Sequence, residues 1–340
     1  MFFTMLRTFI IGLLGAVIFN LLNLPVPWLL GSLFAVLLTN LFTPLSLKWH
    51  VNFRNGGLVI TGYAIGYAFT YQAVQNMVLF FPAMFAANIA FFILFLLISL
   101  LLAYRTKMDH GTALVCCVPG GLSQIITFAE EQKNMDLSSI TFFHVLRILM
   151  IVSIVPFIVT NEQTTLVENS DDGTFSGFLV LLLILCFFAG MLFQKIRVPT
   201  GYLLGPVFLM MCLNLVQIDL PVMPDFLLHV AQLLIGIYIG LLLQKENMKF
   251  TKKQLFYAFF SSSVFISFAI VLSILLQNQQ DLSFATSFLS LVPGGLDQMG
   301  IIAASVKADV TLVTAFQLFR VLFLSVFIVP FVKWYVGRKG

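Results

Sequence analysis

The sequence predicts an all-α integral membrane protein made of two inverted repeats, with about ten transmembrane helices and two re-entrant hairpins broken by Pro-Gly-Gly. Composition is the first reason, since 60% of the residues are hydrophobic, 9% are charged and the mean hydropathy is +1.03. A soluble domain is roughly 25% charged. The second reason is a set of apolar runs near the roughly 20 residues that a helix needs to cross the hydrocarbon. The third is an internal duplication.

The duplication is visible as one phrase that occurs twice, at 118–124 (VPGGLSQ) and 174 positions later at 292–298 (VPGGLDQ). A register held over more than a hundred residues indicates a structural repeat. One residue is then deleted, so that Arg147 corresponds to Arg320 at an offset of 173. Other pairs at the offset of 174 are Pro25 and Pro199, Trp28 and Tyr202, Gly31 and Gly205, Asn40 and Asn214, Gly62 and Gly236, Gly66 and Gly240, and Lys133 and Lys307.

The glycine and asparagine pairs predict helix packing. Gly62 and Gly66, like Gly236 and Gly240, form a G-x-x-x-G pair that lets two helices approach closely. The matched asparagines are expected to form interhelical hydrogen bonds or caps.

In the first copy the apolar segments run roughly over 6–22, 28–42, 56–71, 78–103, 111–130 and 140–159. The N-terminus resembles a signal peptide, with Arg7 before an apolar stretch, but no small-residue cleavage site comes before Asn20, which predicts a retained first helix. The fifth segment, 111–130, contains a proline, which removes a backbone donor, and two glycines, which disfavour a helix. A break is therefore expected at the middle of this segment.

In the second copy the corresponding segments run roughly over 178–194, 200–216, 226–243, 255–276, 284–304 and 311–332. The stretch between the copies is polar and acidic, which is typical of a connecting loop. We therefore divide the chain into membrane repeat 1 (1–160), an acidic external linker (161–175) and membrane repeat 2 (176–340).

Charge favours the inverted arrangement. Of the 18 Lys and Arg residues, Arg147 and Arg320 lie inside apolar runs and sixteen remain. If each Pro-Gly-Gly segment is re-entrant and ends on the side of the membrane where it began, fifteen of these sixteen basic residues face the cytoplasm, and only Lys307 does not. If every segment crosses, eight lie on each side, which ignores the positive-inside bias. We expect a multi-pass protein of the cytoplasmic membrane with both termini cytoplasmic, although charge fixes only the parity and does not prove which segment re-enters.

The broken segments are the predicted substrate site. In inverted-repeat transporters, discontinuous helices meet near the midplane and their half-helix ends hold the solute or ion. A helix that starts after the glycines presents unpaired N–H groups, which attract anions. Asp297 can instead cap its own helix, so the second site can also be closed to anions or built for a cation. The expected substrate-binding residues are Gly120, Gly121, Ser123, Gln124, Gly294, Gly295, Asp297 and Gln298, together with Arg147 and Arg320.

The two arginines are costly inside apolar runs, so each is expected to face the protein interior. One interpretation is a fork that grips a carboxylate or phosphate. The alternatives are an arginine bonded to backbone carbonyls of the broken hairpin, or one that reaches an interface. His144 and Gln317 lie three residues before the arginines, on the same helical face. His144 is the candidate for proton coupling, the alternative being a hydrogen-bonded structural histidine.

Several function classes lack their motifs in this sequence. The four cysteines have no C-x-x-C spacing and the four histidines are scattered, so we expect no metal site and no cofactor. There is no phosphate-binding loop and no nucleophile elbow. We therefore expect a protein that is not an enzyme. Its expected partners are a small-molecule or ion substrate and the lipid bilayer, and nucleic acid is not among them. A homo-oligomer is compatible with the sequence.

The two P-G-G-L-[SD]-Q phrases, each preceded by a P-x-x-[WY]-L-L-G helix, resemble the AbrB-type duplicated membrane protein family. The resemblance covers nearly the whole chain. This family is unrelated to the DNA-binding regulator of the same name. Its members are described as transporters, as linked to regulation of gene expression, or as ammonia monooxygenase. The last description fits poorly, because an oxygenase metal site would need clustered ligands. The general layout is also similar to that of broken-helix carriers.

The sequence therefore predicts a transporter of a small anionic solute that works by alternating access at the repeat interface. The competing interpretation is a membrane sensor or scaffold that acts indirectly on gene expression. A membrane-bound monooxygenase is a disfavoured third. Substrate, coupling ion, direction and oligomeric state stay open at this point.

Overall fold

The computed structural model describes residues 2–118, 135–160, 176–196, 198, 200–243, 251–328 and 330–332. Within these residues every regular element is a helix. Five helices are long and apolar enough to cross a membrane: Phe3–Leu21, Phe81–Thr106, Leu137–Thr160, Gly177–Lys195 and Lys252–Gln280. The all-helical class is confirmed and the long apolar helices fit a membrane protein, whereas the ten crossings, the inverted repeats and the re-entrant hairpins stay predictions.

The first half of the chain contains seven helices among its described residues. They are α1 (Phe2–Leu21), α2 (Pro27–Phe42), α3 (Val51–Tyr67), α4 (Tyr71–Leu79), α5 (Phe81–Thr106), α6 (His110–Cys117) and α7 (Leu137–Thr160).

The second half also contains seven helices among its described residues. They are α8 (Gly177–Lys195), α9 (Gly201–Leu215), α10 (Asp225–Gly240), α11 (Lys252–Gln280), α12 (Phe284–Leu291), α13 (Leu296–Ser305) and α14 (Val310–Phe323), the last continuing as a π-helical turn over Leu324–Ile328.

Helix bounds follow the sequence duplication. α6 and α12 begin and end at residues 174 positions apart. Their capping residues also correspond, because Asp109 accepts a hydrogen bond from the Thr112 amide at 3.2 Å and Ser283 accepts one from the Thr286 amide at 3.2 Å. A side chain that satisfies the first amides fixes where a helix starts. The two halves thus use the same local signals at the same places.

One helix was missed from the sequence. α4 lies where no apolar segment was predicted, because Gln72, Gln75 and Asn76 interrupt the hydrophobic run. Pro82 stands in the first turn of α5, where its missing N–H costs nothing, and it separates the two helices.

The predicted break in the second copy is present as an interruption between α12 and α13, over residues 292–295. The phrase of the first copy, after Val118, and the acidic linker 161–175 lie outside the described residues.

The π-helical turn after α14 explains a shift in the sequence register. The offset between the halves is 173 at Arg147 and Arg320, and it returns to 174 at Pro156 and Pro330, where both copies read Ile-Val-Pro-Phe. The second copy therefore has one extra residue between these points. A π-turn is the usual way for a helix to take up a single additional residue. It lies in that interval, at Leu324–Ile328.

The chain forms two compact units, and each unit draws on both halves of the sequence. Unit 1 consists of Met1–Asn76, Val155–Lys245 and Gly300–Thr311, and unit 2 consists of Met77–Ile154, Glu246–Met299 and Leu312–Gly340. Unit 1 thus contains α1 to α3 with α8 to α10, which correspond in the duplication. Unit 2 contains α5, α6 and most of α7 with α11, α12 and α14.

Unit 1 is held together by reciprocal glycine contacts. A Cβ on Gly62 of α3 would lie 2.5 Å from the Leu203 carbonyl oxygen of α9. A Cβ on Gly236 of α10 would lie 2.5 Å from the Leu29 carbonyl oxygen of α2. Gly236 and Leu29 are the duplication partners of Gly62 and Leu203, so the same contact is made twice with the roles of the halves exchanged. The packing contact between the two halves is therefore reciprocal.

The two asparagines obey the same relation. Asn40 Nδ2 donates to the Leu243 carbonyl oxygen at 2.9 Å, and Asn214 Nδ2 donates to the Phe69 carbonyl oxygen at 3.3 Å. Asn214 Nδ2 also donates to the Tyr67 carbonyl oxygen at 2.7 Å. Tyr67 is the last residue of α3, and the other two acceptors lie just beyond the ends of α3 and α10, where carbonyls lose their intrahelical partners. The prediction of structural asparagines is confirmed.

Aromatic packing joins α5 and α11 in unit 2. The rings of Phe95 and Phe265 meet edge to face with centroids 4.9 Å apart, and those of Phe91 and Phe268 do so at 5.1 Å. Phe91, Phe95 and Phe265 are each 1% exposed. These contacts fix the two long helices beside α6 and α12, which carry the site.

Candidate functional site

The site in unit 2 begins at the end of α12. Pro293 has no N–H, so the Leu289 carbonyl cannot receive the next intrahelical hydrogen bond. The chain then leaves the helix, and the carbonyls of the next three residues also lose the amides that a continuous helix would supply. A buried helix end in this state needs other donors for its last four carbonyls.

Gln317 and Arg320 of α14 supply those donors. Gln317 Nε2 donates to the Leu289 carbonyl oxygen at 2.7 Å and to the Val292 carbonyl oxygen at 3.1 Å. The Arg320 guanidinium donates to the two remaining carbonyl oxygens, of Ser290 at 3.2 Å and Leu291 at 2.6 Å, and it also donates to that of Val292 at 2.7 Å. Two side chains therefore satisfy all four carbonyls.

Arg320 is 5% exposed and its guanidinium carbon lies 5.4 Å from the centroid of the Phe91 ring. Its positive charge faces the negative end of the α12 dipole, which is a favourable arrangement. Both terminal nitrogens already donate to groups of the protein. A bidentate grip on a solute would have to displace these bonds, so the geometry favours the carbonyl-bonded alternative for Arg320.

The first copy repeats this arrangement in its described residues. Arg147 Nη1 donates to the Cys117 carbonyl oxygen at 3.1 Å, and His144 Nε2 lies 3.0 Å from the Val118 carbonyl oxygen. Cys117 and Val118 correspond to Leu291 and Val292. Arg147 and His144 thus occupy the positions at α6 that Arg320 and Gln317 occupy at α12.

His144 is fully buried and has a carbonyl oxygen beside each ring nitrogen. Nδ1 lies 2.8 Å from the Ile140 carbonyl oxygen, in addition to the contact of Nε2 with Val118. A neutral imidazole donates from one nitrogen only, whereas the imidazolium donates from both. Gln317, at the matching position, donates from Nε2 whatever the pH. Protonation of His144 would therefore let it donate at once to Ile140 in its own helix and to Val118 at the end of α6.

The start of α13 forms the other side of the interruption. Asp297 and Gln298 stand in its first turn and are 5% and 6% exposed. The Met299 amide donates to the Gly295 carbonyl oxygen at 3.0 Å, which closes the first helical turn. A Cβ on Gly295 would collide with the Gln298 side-chain oxygen and lie 2.6 Å from Asp297 Oδ1. Only glycine leaves room for these two side-chain oxygens.

The structure brings Gly294, Gly295, Asp297 and Gln298 together at the interruption, with Arg320 at the end of α12. Gly120, Gly121, Ser123 and Gln124 lie outside the described residues. Ser287, Ser290 and Thr314 also lie on these helices and were not singled out from the sequence, because isolated hydroxyls in an apolar helix carry no distinctive spacing. In the described part of the chain, no group of three or more His, Cys, Asp and Glu side chains could hold a metal ion.

Residues 28–336 match the family model described as "Transition state regulatory protein AbrB". A protein of Escherichia coli strain K12 named "Putative regulator AbrB" is 25% identical over 251 residues, which cover 71% of this chain and 71% of that protein. An uncharacterized protein, YhjN, of Bacillus subtilis strain 168 is 24% identical over 250 residues, which cover 67% of this chain and 64% of that protein. The chain thus aligns with just under two thirds of the Bacillus protein.

Proposed function

The chain belongs to the AbrB family, a family of membrane proteins distinct from the DNA-binding regulator AbrB, and on this premise we propose that it transports a small anionic solute across the membrane by alternating access. The protein lies in the cytoplasmic membrane with both termini in the cytoplasm. Its two halves are inverted repeats with ten crossings and two re-entrant hairpins.

Three observations support the repeat architecture. Corresponding helices of the two halves share one compact unit, and the glycine contacts of unit 1 are exchanged between the halves. The charge parity supports opposite orientations, since it collects the basic loop residues on one side. Inverted repeats with helices broken at membrane depth are typical of secondary transporters.

The observation that carries the proposal is the interruption of α12 and α13. Arg320 and Gln317 satisfy the carbonyl end of α12, so the negative end of that half-helix is closed. The start of α13 faces the interruption with the positive end of its dipole, which attracts anions. In this proposal Gly294, Gly295, Asp297 and Gln298 receive the solute and Arg320 holds the interruption in place. The matching residues of the first copy are Gly120, Gly121, Ser123, Gln124 and Arg147.

Purified protein in liposomes should take up radiolabelled small carboxylates faster than protein-free liposomes. The variant Pro293→Ala/Gly294→Ala restores an amide and two good helix formers, so α12 can run into α13. We expect the variant to be folded and its uptake to fall by at least about tenfold, equivalent to about 1.4 kcal/mol.

Pro156→Ala is the matched control, because Pro156 lies inside the uninterrupted helix α7. It should keep uptake within about twofold of the wild-type rate. Full uptake by the double variant, or no uptake of any carboxylate by the wild type, would exclude the proposed mechanism.

We also propose His144 as the proton-coupling residue. Gln occupies the matching position in the second copy and makes the same contact with a carbonyl at the end of its half-helix. His144→Gln should therefore keep the fold and remove the titrating group. We expect uptake at a fixed inward proton gradient to become insensitive to the gradient. A variant that responds to the gradient as the wild type does would show that His144 is structural.

A sensor or scaffold that acts indirectly on gene expression is the second candidate, because the matched family and the Escherichia coli protein carry regulatory names. The two proposals differ in a simple measurement. A sensor binds its ligand without net movement across a liposome membrane, whereas a transporter accumulates or releases it.

A further inference from the structure

Buried polar atoms without partners are concentrated near the interruption. In the described part of the chain, six buried side-chain nitrogen or oxygen atoms have no hydrogen-bond partner within the protein. One, Trp49 Nε1, lies in unit 1. The other five belong to α12, α13 and α14 of unit 2: Ser287 Oγ, Ser290 Oγ, Gln298 Oε1, Thr314 Oγ1 and Arg320 Nε. Such groups are rare in native proteins because each costs free energy, so this concentration calls for an explanation.

Hydrogen bonds from these side chains to their own helix backbone do not explain the concentration. Buried hydroxyls elsewhere bond back to their own helix, as Ser262 does to the Ala258 carbonyl oxygen at 2.9 Å and Thr61 to the Gly57 carbonyl oxygen at 3.0 Å. Ser287 and Ser290 lie three residues apart on α12, are both fully buried and make no such bond. The helices at the interruption thus present polar groups that the protein does not use itself.

Gln298 is the most informative of the five. Its Oε1 can only accept a hydrogen bond, and it lies beside Gly295 at the start of α13. Three nitrogens of α14, the two terminal nitrogens of Arg320 and Gln317 Nε2, already donate to α12 carbonyls, and Arg320 Nη1 also donates to Gln317 Oε1 at 3.3 Å. Arg320 Nε is itself without a partner and makes no hydrogen bond with Gln298 Oε1. A purely accepting anion such as acetate cannot satisfy this oxygen.

We infer that the solute is a small carboxylate that also carries a hydrogen-bond donor, either a hydroxyl or an ammonium group, and that this donor binds Gln298 Oε1. The inference rests on the proposed transport function and specifies its substrate class. The carboxylate is received by the amides at the start of α13. The Asp297 carboxylate beside the same glycine favours a donor over a second anionic group at this position.

The distances limit the size of the solute. The first amides of α13 and Gln298 Oε1 belong to the same turn, and one turn of α-helix rises about 5.4 Å. The donor and the carboxylate therefore lie close together in the solute, as in two-carbon and three-carbon hydroxy acids and amino acids.

The test compares carboxylates of equal length with and without the donor. Acetate, glycolate and glycine, and propionate, lactate and alanine, are titrated against the purified full-length protein while thermal unfolding is followed. A ligand that binds the folded state raises its stability with concentration, which yields an apparent Kd. We expect the hydroxy acid or the amino acid to bind at least about tenfold more tightly than its donor-free counterpart, because a site built to bond a donor rejects the analogue that lacks it. Comparison of the hydroxy acid with the amino acid of equal length shows whether the site prefers a hydroxyl or an ammonium group as the donor.

Gln298→Met keeps the length of the side chain and removes the acceptor. The ratio between the apparent Kd values of the donor-free and the donor-bearing carboxylate should therefore fall to about one. Gln232→Met is the matched control. Gln232 is 8% exposed, lies in unit 1 and donates to Ser305 Oγ at 3.1 Å, so its variant should keep the wild-type preference. Equal affinity for both classes in the wild type, or an unchanged preference in Gln298→Met, would overturn the inference and leave the transport proposal standing. No stabilisation by any carboxylate would overturn both.

Discussion

Arg320→Met is expected to destabilise the protein by about 3–5 kcal/mol and to abolish solute uptake. The substitution leaves the Ser290 and Leu291 carbonyls without a donor in a buried position, and each unsatisfied group costs about 1–3 kcal/mol. It also removes the positive charge that faces the end of α12. Equilibrium unfolding in detergent and uptake into liposomes measure the two effects.

Arg320→Lys separates charge from geometry. Lysine keeps the charge but lacks the planar fork that reaches several carbonyls at once, so we expect an intermediate loss of stability. Arg105 provides the control, because it lies exposed at the end of α5 and its replacement by Met should change stability by less than about 0.5 kcal/mol. If Arg320→Met were as stable as the wild type but no longer bound solute, Arg320 would be a ligand and not a brace.

Gly62→Ala is expected to destabilise unit 1 by about 3 kcal/mol. The added methyl would lie 2.5 Å from the Leu203 carbonyl oxygen and 2.9 Å from Pro206 Cβ. A backbone oxygen and a proline ring cannot move aside as a flexible side chain can, so two helices must separate, and overpacking of this kind costs about 1–3 kcal/mol or more. Gly236→Ala should have the same effect, because it meets the Leu29 carbonyl oxygen in the reciprocal contact.

Gly56→Ala is the control within the same helix. No atom lies within 4 Å of a Cβ at Gly56, and alanine is the better helix former. Its variant should be as stable as the wild type or more stable by up to about 1 kcal/mol. Equal stability of Gly62→Ala and Gly56→Ala would show that the helices of unit 1 can separate at little cost.

The sequence predicted the parts of the fold that local chemistry dictates. Proline and glycine predict the interruption after α12 whether that segment re-enters or crosses the membrane, and apolar length predicts the long helices. α4 was missed because the polar residues Gln72, Gln75 and Asn76 interrupt the hydrophobic run. The mixing of the two halves in each compact unit was not predicted, because it depends on contacts such as Gly62 with Leu203, which are more than a hundred residues apart in the chain.

For the candidate site, the sequence identified Arg147, Arg320, His144 and Gln317 but not what they bond to. Charge inside an apolar run indicates a buried partner, and both a solute and a helix end can be that partner. The choice for Arg320 needs the positions of the α12 carbonyls. Ser287 and Ser290 were missed because a buried serine is ordinarily satisfied by its own helix, and only the structure shows that these are not.

The π-helical turn at Leu324–Ile328 has a consequence for how the two copies can diverge. A residue added to a regular helix turns everything beyond it by about 100°, so that a face formerly directed at one neighbour meets another. A local widening confines the disturbance to one turn. Pro330 and Phe331 can then keep the same orientation as Pro156 and Phe157 although the chain between them has lengthened. A duplicated helix can in this way gain a residue close to Arg320 while the residues beyond it keep their correspondence with the first copy.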